Sequence, residues 1–382
     1  MGSAELAEHA GYLADTVKLR AYQTALASAL SNDRRTTVLD LGSGSGILGL
    51  LAGRAGARWV YAVDSGSIIG PAADVAASTA LACGFRHIRG LSTEIELPER
   101  VDVAVCDQIG GFVYDAGVLE YFADARRRHL TDDGVLVPAS FRLHLTAVTC
   151  DLVRDQIDLW NSHPGGFDFS VFRDLAINSE HRVQADQVRV LSRGLEIANI
   201  SSDHVESITG AGTITIESAG RFDGLLGWFV ADLGGGATLT NDPVHPDRMR
   251  RWCNLYPIAR AVDVQAGDHV NVEMDVRPLL PAATWRVQFP EGATGTETAE
   301  RHSTLLGEFL APDDLARSAG APVRQARLGR LLVQALDLAD GTRSIGRIIA
   351  EIDTGQDRIE MSVSEESTLR RLLARLTETQ SS

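Results

Sequence analysis

Residues 38 to 46 read Val-Leu-Asp-Leu-Gly-Ser-Gly-Ser-Gly. An apolar run predicts a buried strand from Thr37 to Leu41, and the glycine-rich turn after it opens a predicted helix from Ile47 to Arg54. Glycine suits such a turn because positive φ angles and close approach of the backbone to a ligand exclude a Cβ atom. A second apolar run, Trp59 to Val63, ends at Asp64, whose carboxylate can accept both hydroxyl groups of a ribose. The pattern therefore predicts a cofactor with a ribose at the end of the first strand.

Two classes of cofactor share this layout. Dinucleotide-binding folds use G-x-G-x-x-G, with a pyrophosphate at the N-terminus of the helix. Here the glycines read G-S-G-S-G, and Asp40 stands two residues before the first of them. An acid at that place would repel a pyrophosphate, but it suits a cationic sulfonium that carries an amino-acid tail. We therefore expect S-adenosylmethionine, with S-adenosylhomocysteine as its product; a purely structural turn in another α/β fold is the alternative.

Length and composition limit the class of protein. A chain of 382 residues predicts two or three domains, and 44% hydrophobic with 23% charged residues is typical of soluble globular proteins. The sequence has no apolar run near the length of a membrane span and no signal peptide, so we expect a cytoplasmic protein. The net charge of -15 argues against binding to nucleic acid or an anionic membrane. Widely spaced cysteines and histidines predict reduced thiols and no metal site, the cysteines being Cys83, Cys106, Cys150 and Cys253.

The sequence pattern changes twice along the chain. Residues 1–138 begin with one predicted helix and then alternate strands and helices, which predicts a Rossmann-like parallel sheet that binds the cofactor. Residues 139–292 alternate in the manner of antiparallel strands and predict a β-barrel for substrate binding and dimerisation. Residues 300–382 predict a small helical domain, with a winged-helix-like fold as one option. The predicted fold class is therefore α/β, followed by an antiparallel β-barrel and a C-terminal helical domain.

Several segments resemble the protein arginine methyltransferases. Residues 9 to 22 are similar to the family's H-x-x-M-L-x-D-x-x-R-x-x-x-Y helix, and residues 38 to 48 to its V-L-D-x-G-x-G-x-G-I-L. Residues 57 to 64 resemble A-x-x-V-Y-A-V-E, and residues 94 to 98 resemble E-V-E-L-P. Residues 166 to 170 resemble G-F-D-M-S, and Trp252 resembles the tryptophan of the family's T-H-W loop. The resemblance covers residues 5 to 290 and implies the family's fold and cofactor.

The sequence departs from the family where the family binds arginine. The resemblance implies a hairpin whose two Glu residues clamp a guanidinium, a planar cation that suits bidentate carboxylates. Asp107 stands at the first Glu, Ala116 stands at the second, and Asp115 is adjacent to Ala116. Arg250-Arg251 replaces the Thr-His of the T-H-W loop, and the family's Asp–His contact predicts that Asp15 contacts Arg251.

The predicted catalytic residues are Asp107 and, secondarily, Asp115, because a carboxylate can accept the nucleophile's N–H or O–H, aim its lone pair and take up its proton. A loop-capping role is the alternative for Asp107. The resemblance implies that Lys18 binds the cofactor's carboxylate, in place of the family's Arg. The predicted cofactor-binding residues are Lys18, Asp40, Gly42, Ser43, Gly44, Asp64, Ser65, Thr93 and Glu94, of which Thr93 or Glu94 is expected beside the adenine.

The sequence thus predicts an S-adenosylmethionine-dependent N-methyltransferase that acts on a small molecule or peptide in specialised metabolism. O-methylation, protein arginine N-methylation and a non-catalytic cofactor-binding scaffold are the alternatives. Residues 156 to 178 stand where the family inserts its dimerisation arm, so we expect a homodimer. Residues 336 to 348 resemble a short winged-helix pattern of peptide-recognition domains, with a packing domain as the alternative.

Overall fold

A computed structural model describes residues 3–31, 36–279, 282–289, 298–305, 331, 334–339, 342–354, 369 and 373. Contacts between Cα atoms divide the chain into two units, Met1–Ala311 and Pro312–Ser382. In the described part of the chain, no helix is both long and apolar enough to cross a membrane.

Five parallel strands form the first sheet of the larger unit, in the order β3-β2-β1-β4-β5. All five residues of β1 are buried, as expected for a strand that is covered on both faces. The strands are β1 Thr37–Leu41, β2 Trp59–Asp64, β3 Gly84–Arg89, β4 Val101–Cys106 and β5 Leu130–Val137. The helices of this part are α1 Ser3–Ala14, α2 Thr16–Ala29, α3 Ile47–Arg54, α4 Ile69–Ser78 and α5 Val118–Arg128.

The strand order determines where a ligand site lies on the parallel sheet. From β1 the chain continues to β2 on one side, whereas β4 pairs with the other side of β1. Ligands of open α/β sheets bind in the crevice that this reversal leaves beyond the carboxyl ends of the strands. Gly42 follows β1, Asp64 ends β2 and Asp107 follows β4, so all three lie at this edge.

Antiparallel strands form the rest of the larger unit. One sheet has the order β7-β13-β11-β6-β8, with β12 on β11 and β9 on β6, and another has the order β10-β14-β15-β16. Phe112 of the parallel-sheet region and Phe141 and Phe229 of the antiparallel region belong to one buried apolar cluster. The strands are β6 Ser140–Thr149, β7 His181–Val183, β8 Arg189–Val190, β9 Leu195–Ser201, β10 Ile208–Thr215, β11 Gly220–Gly234, β12 Ala237–Thr240, β13 Cys253–Val264, β14 His269–Arg277, β15 Ala282–Phe289 and β16 Thr298–Ser303. Two helices, α6 Asp151–Leu159 and α7 Val171–Ile177, follow β6.

The structure differs from the sequence prediction at several boundaries. The single helix expected at the N-terminus is two helices, because Asp15 leaves helical geometry and its Oδ1 accepts the Lys18 N–H of α2 at 3.1 Å. Strand β5 runs through Asp133 and Gly134, although an Asp-Gly pair in the sequence predicts a turn. Strand β16 pairs with β15, so the antiparallel part reaches beyond the boundary expected at residue 292.

The smaller unit contains α8, Ile345–Thr354. One face of α8 presents Ile348, Ile349 and Ile352 to an apolar cluster that also contains Leu331 and Leu369. The sequence predicts further helices at residues 328 to 338 and 365 to 376, and parts of both lie outside the described residues.

Candidate cofactor and acceptor site

A cavity of about 350 Å³ lies at the carboxyl edge of the parallel sheet. Its walls come from α1, α2, the glycine turn, the ends of β2 and β4, and the antiparallel part of the unit. The lining residues include His9, Tyr12, Lys18, Gly42, Ser43, Gly44, Asp64, Asp107, Gln108, Ala116, Arg182, Arg251 and Trp252.

The glycine turn needs its glycines for two reasons. Gly42 has φ +63° and Gly44 has φ +52°, in the left-handed region that side chains disfavour. A Cβ atom on Gly42 would lie 2.6 Å from Cδ of Gln108, and one on Gly44 would lie 2.9 Å from Cε1 of His9. The turn therefore brings bare backbone to the cavity, as the approach of a ligand requires.

Asp64 ends β2 with its carboxylate held by the turns around it. Its Oδ2 accepts the Gly44 N–H at 2.8 Å, and its Oδ1 accepts the Gly66 N–H at 2.7 Å. A carboxylate oxygen has two lone pairs, so each oxygen can accept a further hydrogen bond from a ribose hydroxyl. Together with the bare glycine backbone, this oriented acceptor fits S-adenosylmethionine.

Asp40 lies beneath the turn, outside the cavity lining, and is fully buried. Its Oδ2 accepts the Gly49 N–H of α3 at 2.8 Å, while Oδ1 has no hydrogen-bond partner among the described residues. Burial, opposed by this hydrogen bond and assisted by the charges of Asp64 and Asp107, raises the pKa of Asp40 to about 7. Asp40 thus supports the start of α3 rather than contacting the cavity.

We expect Asp40→Asn to change the pH dependence of stability. A carboxyl whose pKa is raised on folding contributes stability below its unfolded pKa of 3.8, and loses it as pH rises through about 7. Relative to the native protein, the free energy of unfolding of Asp40→Asn should increase between pH 4 and pH 8, by up to about 4 kcal/mol. Urea unfolding at both pH values measures this, with the exposed Asp132→Asn as control. A constant difference across this range would contradict it.

The other predicted cofactor residues divide into two groups. Ser43 is buried and lines the cavity. Ser65, Thr93 and Glu94 are exposed and do not line it: Thr93 and Glu94 lie in a turn where the Glu94 N–H donates to the Leu91 carbonyl at 2.9 Å. Ser65 follows β2, whereas Thr93 and Glu94 follow β3. Their expected contacts with the cofactor stay predictions from the sequence.

Lys18 is buried, with 1% of its surface exposed, and its ammonium forms an ion pair with Oδ2 of Asp107. Arg251 Nη2 approaches the other side of Asp107, at 3.4 Å from Oδ1 and 3.1 Å from the backbone carbonyl. The expected contact between Asp15 and Arg251 is therefore corrected, because Asp15 Oδ2 instead accepts the backbone N–H of Arg250 at 2.6 Å. Asp107 thus lies in the cavity wall between two cations.

The hairpin after β4 is held together by Asp115. Its Oδ1 accepts the Gly111 N–H at 3.0 Å and the Phe112 N–H at 3.1 Å. A Cβ atom on Gly110 would lie 2.1 Å from this oxygen, so the carboxylate points into the hairpin. Val113 has φ +72°, which is a strained backbone geometry for a β-branched residue. The surrounding hydrogen bonds must therefore hold it in place. Asp115 therefore stabilises the hairpin, and the catalytic role that the sequence predicts for it stays a prediction.

Sequence reasoning missed two residues of this region. Arg182 of β7 reaches the cavity and lies 4.6 Å from the ring centre of Trp252. Asn241 is buried, and its Nδ2 donates to the Gly111 carbonyl at 2.8 Å and to the Trp252 carbonyl at 2.9 Å. Neither has a local sequence signal, because the pairing of β7 with β13 and the path of the loop after β12 bring them here. Among the described residues, no cluster of His, Cys, Asp and Glu could hold a metal ion.

Comparisons with known proteins agree with this geometry. Residues 19–138 match the family model of ribosomal protein L11 methyltransferase (PrmA). The chain is 30% identical over 276 residues to an arginine N(omega)-methyltransferase of Streptomyces achromogenes subsp. streptozoticus, covering 68% of this chain and 73% of that one. It is 29% identical over 279 residues to protein arginine N-methyltransferase 1 of Schizosaccharomyces pombe, covering 71% and 82%.

Solved structures share the fold. The Trypanosoma brucei PRMT1 enzyme–prozyme heterotetrameric complex with AdoHcy aligns with a TM-score of 0.67 at 21% identity, over 77% of this chain and 97% of that one. Arabidopsis thaliana protein arginine methyltransferase 10 aligns with a TM-score of 0.63 at 20% identity, over 78% and 98%.

The glycine turn, the acid that ends β2 and the cavity at the switch point define a class I S-adenosylmethionine-dependent methyltransferase. The predicted fold class and cofactor are thereby confirmed. Given the Streptomyces relative, the chain belongs to the protein arginine methyltransferase family.

Proposed function

We propose that this enzyme transfers a methyl group from S-adenosylmethionine to a nitrogen atom, with the guanidino group of arginine as the leading acceptor. The placement of Asp107 carries the proposal: it follows β4, beside the glycine turn of β1, and lines the same cavity. The names of the Streptomyces and Schizosaccharomyces relatives support arginine over other nitrogen acceptors. A role in specialised metabolism and a cytoplasmic location stay predictions from the sequence.

The residues of the cavity have distinct proposed tasks. Gly42, Ser43, Gly44 and Asp64 would hold the cofactor, which supplies a methyl group on a cationic sulphur when bound. Asp107 would accept an N–H of the acceptor, aim the nitrogen lone pair and take up the proton that the nitrogen releases. Lys18 and Arg251 fix the carboxylate of Asp107 from two sides, so that it is oriented before the acceptor arrives.

An amine on a small molecule or peptide is the second candidate acceptor. Ala116 lines the cavity where the resemblance implies the second Glu of a guanidinium clamp, and Asp107 already has two cationic partners. A single carboxylate can orient an amine, whereas a planar guanidinium gains most from two carboxylates.

S-adenosylmethionine with a deuterated methyl group distinguishes these acceptors. The purified protein is incubated with this donor and with L-arginine, an arginine-containing peptide or a lysine-containing peptide. Mass spectrometry then locates the label. Label on a guanidino nitrogen supports the leading proposal, label on an amine supports the second, and label on oxygen contradicts both. Absence of label with every acceptor, while calorimetry shows cofactor binding, would also count against the leading proposal.

We also propose a homodimer formed through α6 and α7. This helical segment exposes several large apolar side chains, and Phe167 and Val171 are each 70% exposed. Clustered exposed apolar residues of this kind mark association surfaces. The double variant Phe167→Ser, Val171→Asp should sediment as a monomer, whereas the native protein sediments as a dimer. The matched double variant Leu91→Ser, Val75→Asp, on other exposed apolar residues, should stay dimeric; a monomeric native protein would refute the proposal.

A further inference from the structure

The hairpin and antiparallel walls of the cavity carry excess positive charge, although the whole lining balances three acids, Glu8, Asp64 and Asp107, against three cations, Lys18, Arg182 and Arg251. The walls contributed by the hairpin and by the antiparallel strands present one acid, Asp107, and two arginines, Arg182 and Arg251, together with Trp252. Asp107 is already paired with Lys18 and Arg251. A positive charge on the acceptor, beyond that of the group to be methylated, would therefore be repelled here. A negative charge would be attracted.

Arg182 is the cation of this wall that has no ion pair among the described residues, since Arg251 pairs with Asp107. It is exposed, and its guanidinium stacks on the Trp252 ring at 4.6 Å. Stacking uses the face of the guanidinium and leaves its five N–H groups at the edge, where they can hold an oxyanion in a bidentate manner. The carboxylate of Glu180 is near enough to interact with the charge of Arg182, but the two form no ion pair, and Glu180 accepts hydrogen bonds from Tyr114 and Asn254.

We infer that the methyl acceptor carries an oxyanion group, a carboxylate or phosphate, and that Arg182 binds it. The inference rests on the proposed methyl transfer and deepens it. It makes Arg182 a residue that determines acceptor specificity. Free arginine and a peptide that ends in arginine meet this requirement, because both carry a carboxylate as well as a guanidino group.

The first experiment uses inorganic sulfate as the probe. Protein saturated with S-adenosylhomocysteine, which fills the site of the cofactor's own carboxylate, is melted in sulfate and in chloride at equal ionic strength. We expect sulfate to raise Tm by about 2 °C more in the native protein than in Arg182→Gln or Arg182→Glu. Arg193→Glu, on an 89% exposed side chain, controls for the general effect of sulfate on stability. Equal shifts in native protein, Arg182 variants and control would overturn the inference.

The second experiment compares L-arginine with agmatine, which has the same guanidino group without the carboxylate. The native enzyme should methylate L-arginine with the lower KM, and Arg182→Glu should raise that KM at least about tenfold while leaving the KM for agmatine similar. If neither compound is methylated, arginine fails as the acceptor, but the sulfate experiment still decides whether an oxyanion binds at Arg182. If calorimetry detects no binding of S-adenosylhomocysteine, the proposed function fails, and the sulfate experiment is run on the protein alone.

Discussion

Asp107→Asn should lower kcat for methyl transfer by about 10²- to 10⁴-fold, the range for loss of a group that transfers a proton. Asparagine keeps the size and position of the side chain at the end of β4. It cannot take up a proton, and its amide N–H groups would face the ammonium of Lys18, which donates to Asp107 in the native protein. Steady-state kinetics with the acceptor identified by mass spectrometry would measure the loss.

The same substitution should also lower the stability of the folded protein. The experiment therefore needs controls for folding and cofactor binding. Lys18 and Arg251 are 1% and 7% exposed, so removing their shared acid leaves buried cations without their partner, at a cost of several kcal/mol. Circular dichroism and calorimetry with S-adenosylhomocysteine must therefore show that Asp107→Asn is folded and binds. Asp107→Glu restores the carboxylate and should recover part of the rate. A kcat within a few-fold of the native value in folded Asp107→Asn would remove Asp107 from catalysis.

Local signals sufficed to predict that the glycine turn and Asp64 lie at one edge of the sheet. Strand β1, the glycine turn and α3 are consecutive in sequence, and Asp64 ends the next strand, so alternation of strands and helices predicts that they meet at one edge. Antiparallel strands were also predictable, because the alternation of apolar and polar side chains predicts each strand separately. Their register was not, since pairing depends on partners far along the chain, and β16 therefore escaped prediction.

The acceptor half depends on contacts that no local pattern encodes. Lys18 and Asp107 are 89 residues apart, and Arg251 is 144 residues beyond Asp107. A family motif could assign Lys18 to the cofactor, but it could not show that the ammonium also holds the candidate catalytic acid. In the same way, the sequence placed Asp115 beside the lost clamp, while backbone N–H groups of the hairpin determine where its carboxylate points.

Asp64→Ala should weaken binding of S-adenosylhomocysteine by about 10²- to 10³-fold, because two hydrogen bonds from ribose hydroxyls to a charged group are lost. The loss has a second source in this chain. Asp64 also accepts the N–H groups of Gly44 and Gly66, at 2.8 Å and 2.7 Å, so alanine frees the turn on which the cofactor rests.

Asp64→Asn separates these two sources. Its amide oxygen can still accept one backbone N–H, whereas its NH₂ group offers a donor where Asp64 offers an acceptor. If the turn matters most, Asp64→Asn should bind more tightly than Asp64→Ala; if the ribose contact dominates, the two should bind about equally poorly. Isothermal titration calorimetry measures both, with the exposed Asp74→Ala of α4 as the matched control. Native affinity in folded Asp64→Ala would show that the ribose lies elsewhere, since Asp64 is the acid at the end of β2 that lines the cavity.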